Sequence, residues 1–305
     1  MTGSPTPLTD ERYSCHSSLQ ADEPIWAHAT RVDAWLAIGC DQPWGRKALP
    51  ESDLPKPVKQ RLLDFQDSGT NRRVQFIKSN RSWPANEIPM LLARCDRETP
   101  VLRRLALTQY EDLLEMDLAA LMDEPVPADE TAPPTFLICT NGRRDLCCAR
   151  YGMGVYKSLA ELAPNRAWRT THLGGHRFSP TAILLPFGLH YGRLRPQDAD
   201  DLLAFTDAGR ISLTHLRGHT SFPPPAQAAE HYVRQLERLD GIQDLRLENV
   251  DSMEPGRWSV RFELIARSET IELIVTELPN AYQVYKTTGD SERASVAHFE
   301  VEKAS

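Results

Sequence analysis

Two short stretches carry donor atoms that work together. The first reads Cys139-Thr-Asn-Gly-Arg-Arg-Asp-Leu-Cys147-Cys148 and the second His172-Leu-Gly-Gly-His176. Eight residues lie between Cys139 and Cys148, and a loop of that length containing a glycine can turn both sulfurs toward one point. Two thiolates and two imidazoles form a four-donor set suited to a tetrahedral metal ion or to the two irons of a [2Fe-2S] cluster. Donor type alone does not choose between them. A structural zinc site usually draws on cysteines about two to four residues apart, so the wider gap is a poor match. The paired glycines rule out an ordinary helix between the histidines and let backbone approach something bulky, as bridging sulfides require.

The pattern Cys, eight residues, Cys, then His-x-Gly-Gly-His resembles that of the sucrase/ferredoxin-like family, the thioredoxin-like ferredoxins related to the actin-patches-distal protein of yeast. The resemblance implies a thioredoxin-like fold holding a [2Fe-2S] cluster through Cys139, Cys148, His172 and His176. Arg144-Asp145, Trp44-Gly45 and Tyr191-Gly192 match as well. The family spacing selects Cys148 over its neighbour Cys147, and a vicinal pair cannot readily put both thiolates on one iron. The family's sucrase label is not carried over, because no paired-carboxylate motif accompanies it.

Such a set has an electrostatic consequence. An oxidised cluster core carries about +2, so two thiolates with two neutral imidazoles give a site near zero, where four thiolates would give about -2. The expected potential is above that of an all-cysteine ferredoxin. Free imidazole nitrogens would couple electron uptake to protonation. The expected role is one-electron transfer between redox partner proteins, a reductase and an acceptor, as a carrier more than as an enzyme with its own substrate. Two other readings use the same residues. One is a thioredoxin-type thiol oxidoreductase with Cys147 or Cys148 as nucleophile, although no Cys-x-x-Cys follows the first strand of either unit. The other is a zinc-stabilised binding module.

The elements around these stretches come in a repeated order. Residues 30–38, 73–78 and 102–107 read as strands, and 55–67 and 113–122 as helices. After MDEPVPADETAPP, which has the composition of a linker, strands are expected at 135–138, 168–171 and 182–185 and helices at 150–162 and 196–208. A helix at 226–239 then precedes strands at 258–266, 270–278, 281–287 and 295–301, with a turn at 267–269. The expected fold is α/β: tandem thioredoxin-like α/β sandwich units followed by a smaller α+β C-terminal region. The expected boundaries are a loose arm over 1–24, a first unit over 25–126, the cluster domain over 127–222 and a helix with an antiparallel meander over 223–305.

Composition sets the limits. At 41% hydrophobic and 25% charged, the 305 residues are those of an ordinary globular protein. No apolar run approaches the roughly 20 residues of a membrane helix, and the N-terminus lacks a secretory core, so the cytoplasm is the simplest location. The net charge of -7 argues against wholesale nucleic-acid binding. It conceals a segment from Cys139 to Arg195 with nine basic and two acidic residues, a net of +7 that leaves -14 on the rest. Within it, Arg143, Arg144, Arg150 and Arg177 read as a solvated face or a docking face for an acidic redox partner. Six cysteines are too few for a disulfide scaffold. Cys15-His16 reads as a solvent-facing pair, Cys40 and Cys95 as packing residues, and His215 and His219 as ordinary histidines without cysteine partners.

Overall fold

The computed structural model describes residues 13–304 except 70, 81–82, 85–86, 97, 99, 125 and 128–130. Two units of one topology follow each other. In the first, β1 (Ala34–Gly39) leads through α2 (Lys56–Asp67) to β2 (Arg72–Lys78), then β3 (Ile88–Arg94) and β4 (Val101–Leu107). The second repeats this with β5 (Thr135–Cys139), α4 (Leu146–Leu162), β6 (Ala167–Thr170), β7 (Ala182–Leu185) and β8 (Leu189–Tyr191). In each, the first strand is central. It runs parallel to the second and antiparallel to the third, and the fourth completes the edge.

The units meet strand to strand. β2 and β6 pair antiparallel through Ile77↔Thr170 and Lys78↔Arg169, and β9 (Leu216–His219), which follows α5 (Ala199–Asp207), extends the far edge. The result is one nine-stranded sheet in the order β4-β3-β1-β2-β6-β5-β7-β8-β9. Strand alternation assigns its two faces. Leu36 and Ile38 pack beneath α2, and Phe136 and Ile138 pack against α4, so one face supports a separate core in each unit. Trp35, Ala37, Leu137 and Cys139 point the other way into a single core that crosses the junction.

Beyond the sheet, α6 (Pro224–Glu237) packs on an antiparallel meander of β10 (Leu245–Glu254), β11 (Arg257–Leu264), β12 (Glu269–Val284) and β13 (Ala294–Lys303). Proline at the first turn of α6 fits a position whose N–H needs no partner inside the helix.

Several expectations need correction. The arm over 1–24 lies partly outside the described residues, but its described part folds as α1 (Ser14–Gln20), with Ser14, Ser17, Ser18 and Glu23 buried. Cys15 is buried and disulfide-bonded to Cys147, so the pair Cys15-His16 does not face solvent. His16 meets the Tyr151 hydroxyl at 2.8 Å. Strands β3, β8, β9 and β10 were not expected. Two of them are only three and four residues long, too short for alternation to register. The helix expected at 113–122 is a 3-10 turn, Tyr110–Leu114, followed by α3 (Leu118–Asp123), which Asp117 caps by accepting from the N–H groups of Ala119 and Ala120. The strands expected at 270–278 and 281–287 are one bulged strand, β12. Of the expected linker, residues 125 and 128–130 lie outside the described residues. No helix among the described residues is long and apolar enough to cross a membrane.

Candidate metal centre

Cys139 is the last residue of β5, and Cys148 lies in the first turn of α4, two elements joined by the loop 140–145. That loop is shaped by Asp145. Its carboxylate caps α4 by accepting from the Cys147 N–H at 2.9 Å and also accepts from the Thr288 hydroxyl and N–H, each at 2.8 Å. Gly152 lets the helix pass close to the Cys139 carbonyl, where a Cβ would collide with that oxygen. The parallel strands β5 and β6 end on the same side of the sheet, where open α/β folds place ligands. The histidine loop leaves from the end of β6.

Cys139 Sγ and Cys148 Sγ each lie 3.9 Å from His172 Nδ1, and these three donor atoms fall within 4.8 Å of one another. His176 is not in this tightest group. It stands on the far side of the His172 ring, with its Nδ1 at 3.4 Å from His172 Nε2 and its Nε2 at 3.5 Å from Asp145 Oδ2. Both sulfurs are 0% exposed, and His172 is the partly open member of the set.

The two thiols hold protons unequally. A hydrogen bond from the Cys148 thiol, assisted by His172, holds Cys139 well below the usual thiol range against the opposing effect of burial. Cys148 is pushed up correspondingly by its bond to Cys139 and by burial. Burial lowers His176, with Asp145 opposing and His172 reinforcing the shift. Both directions favour the forms that ligate metals, the thiolate at Cys139 and the neutral imidazole at His176.

Three consecutive carbonyls of the histidine loop are held by side chains from elsewhere. Arg73 Nη2 and Nη1 donate to His172 O and Leu173 O at 2.6 and 3.0 Å. Thr30 Oγ1 also donates to Leu173 O at 3.1 Å, and Arg217 Nη1 donates to Gly174 O at 3.1 Å. Arg73 reaches the loop because β6 ends opposite Ile77, near the end of antiparallel β2, and the chain that follows runs back along β2 toward its start. Gly174 and Gly175 adopt φ of +103° and +64°, and a Cβ on them would strike Thr30 and the Arg217 guanidinium respectively.

Arg73, Thr30, Arg217 and Thr288 had no signal in the sequence, since each acts through the fold and none belongs to a motif. His219 is likewise engaged structurally, with Nδ1 at 2.8 Å from buried Glu230, which also accepts from Arg234 at 2.9 Å. Cys40 and Cys95 are buried free thiols.

A family model for sucrase/ferredoxin-like proteins matches residues 25–218, the two thioredoxin-like units with their shared sheet. The chain belongs to the sucrase/ferredoxin-like family. No curated protein and no solved structure matches it. In this sucrase/ferredoxin-like chain the donor set fits a thiophilic metal group: two buried sulfurs and an imidazole converge, and His176 Nε2 is buried without a hydrogen-bond partner among the described residues. The Cys15–Cys147 disulfide leaves Cys148 as the free sulfur of the vicinal pair.

Proposed function

We propose that this sucrase/ferredoxin-like protein is an electron carrier whose [2Fe-2S] cluster is held by Cys139, Cys148, His172 and His176. The observation that carries the reading is the convergence of Cys139, Cys148 and His172, with His176 one ring farther on. When bound, the cluster supplies a one-electron couple.

The chain's own residues account for the rest. Cys139 and Cys148 sit in an apolar core that excludes water, which favours stable thiolate ligation over exchange with solvent thiols. Neutral imidazoles at the other two positions keep the site less negative than four thiolates would. Arg73 and Arg217 fix the loop carbonyls, so His172 and His176 are held without relying on the metal. Burial of both sulfurs also argues against a thioredoxin-type thiol enzyme, whose nucleophile must reach a partner disulfide.

The test is analytical. Anaerobically purified protein is expected to be red-brown, with about two irons and two sulfides per chain and, once reduced, a paramagnetic signal coupled to imidazole nitrogen. A colourless protein holding one zinc would overturn the reading.

A further inference from the structure

A cavity of about 320 Å³ opens beside His172, at the junction of the two units. Its walls come from the loop after β1, from the start of β2 and from the two donor loops. Four cationic side chains line it: Arg46, Lys47, Arg73 and Arg144. Gln75, Asn141 and Thr171 add buried polar groups, and no carboxylate lines it.

Lone surface arginines are ordinary, but these are held without counter-charges. Arg73 spends its guanidinium on the His172 and Leu173 carbonyls and meets no carboxylate among the described residues. Arg46, Lys47 and Arg144 form no ion pair there either. Three cations of the basic segment outside the cavity are paired instead: Arg177 with Glu23, Arg195 with Asp198 and Arg166 with Asp207. The 46–50 wall is anchored to the cluster unit, because Asn141 Nδ2 donates to the Gly45 carbonyl at 3.1 Å. Concentrated positive charge with hydrogen-bond donors in a concave junction is the chemistry of oxyanion recognition.

We propose that this cleft binds a small organic oxyanion, a phosphate- or carboxylate-bearing molecule, against Arg46, Lys47 and Arg144, with His172 in its wall. This goes beyond the carrier reading and does not require it. An acidic loop of a partner protein fits less well, since the space is small and walled by both units. If the carrier reading holds, a bound anion also makes electron uptake harder, and electron uptake weakens anion binding by the same factor.

Isothermal calorimetry on the purified full chain, with inorganic phosphate and with succinate, tests the site and separates the two sources. One saturable site per chain for at least one probe is expected, with a Kd of about 1 mM or tighter. The double variant Arg46→Gln/Arg144→Gln is expected to lose at least about tenfold in affinity. Lys157→Gln, a cation of the same basic segment outside this cavity, is expected to bind as the parent does. Circular dichroism matching the parent would show that the double variant still folds. No saturable binding of either probe, or equal affinity in the double variant, overturns the cleft. Iron-replete protein that ignores both anions sinks this inference alone, whereas iron-free protein that still binds phosphate sinks only the carrier reading.

Discussion

At Cys147 and Cys148 two identical side chains, adjacent in sequence, have different fates. Residue 148 faces Cys139 and His172, while residue 147 turns toward α1 and bonds Cys15. Cys148→Ser and Cys139→Ser are therefore expected to abolish iron retention, and Cys147→Ser to retain it, with iron per chain measured after anaerobic desalting. Loss of iron in Cys147→Ser alone would show that the ligand is misassigned. His172→Cys is expected to keep the cluster at a lower potential with weaker pH dependence, because a thiolate adds negative charge and removes a titratable ring. Cys139, Cys148 and His172, which the structure brings together, stood out in the sequence because their side-chain chemistry is local to two short motifs. Gly175 was readable only as a glycine; its reason is the Arg217 guanidinium, which occupies the space of a Cβ. Gly175→Ala combines that collision with positive φ and is expected to cost about 1–3 kcal/mol in denaturant unfolding. An unchanged midpoint would show that the loop can move.

The elements most legible in the sequence are those with long periodic faces. Helix α4 buries Cys148, Gly152, Val155, Tyr156 and Leu159 along one side, and β12 alternates through residues 270–276. Short strands such as β8 exist because neighbours pair with them, which no local pattern announces. Helix α1 was misread for a related reason. Its polar serines look solvated, but Ser18 donates to Glu23 at 2.6 Å, and Glu23 in turn accepts from Arg177 at 2.8 Å. Helix α6 shows the same kind of hidden polar anchor. Burial opposes ionisation of Glu230, but His219 and Arg234 outweigh it and hold the carboxyl at about 2, against an ordinary 4.5. A lowered carboxylate pKa contributes stability that is fully present above pH 4.5 and is lost as pH falls toward 2. The shift corresponds to about 3 kcal/mol. Glu230→Gln is expected to lose about that much at pH 7 and to lose the corresponding acid dependence between these limits, as followed by urea unfolding against pH. A variant as stable as the parent at pH 7 would mean that this buried trio contributes nothing net.

Across the whole molecule, the pairing of β2 with β6 turns two α/β units into one sheet, and the described N-terminal segment then ties the second unit to the C-terminal meander. Tyr285 N donates to Ser17 Oγ at 3.0 Å, and Thr288 braces Asp145, so the meander participates in the centre although its sequence carries no ligand motif. His28 lies at this three-way junction. Its ring stacks on Phe178 at 5.1 Å, lies 5.8 Å from His298 of β13, and stands 3.8 Å from Glu23. Burial, followed by the charges of Arg177, Arg217, His298 and Arg193, lowers its pKa from 6.5 to about 2. Burial and His231 lower His298 to about 4. Both rings stay neutral in the folded protein while the unfolded chain takes up protons near 6.5, so their contribution is complete above that pH and declines as pH falls. His28 alone steepens the loss by up to about 1.4 kcal/mol per pH unit, and His298 adds in the same direction until pH reaches about 4. This loss sets in at pH 6.5, before that of Glu230 begins at 4.5, so the range between these values reports the histidines alone. Urea midpoints between pH 7 and 4.5 are expected to fall in the parent and to fall less steeply in His298→Gln. A flat parent profile over that range would mean that the junction opens to water and the rings titrate in the folded state.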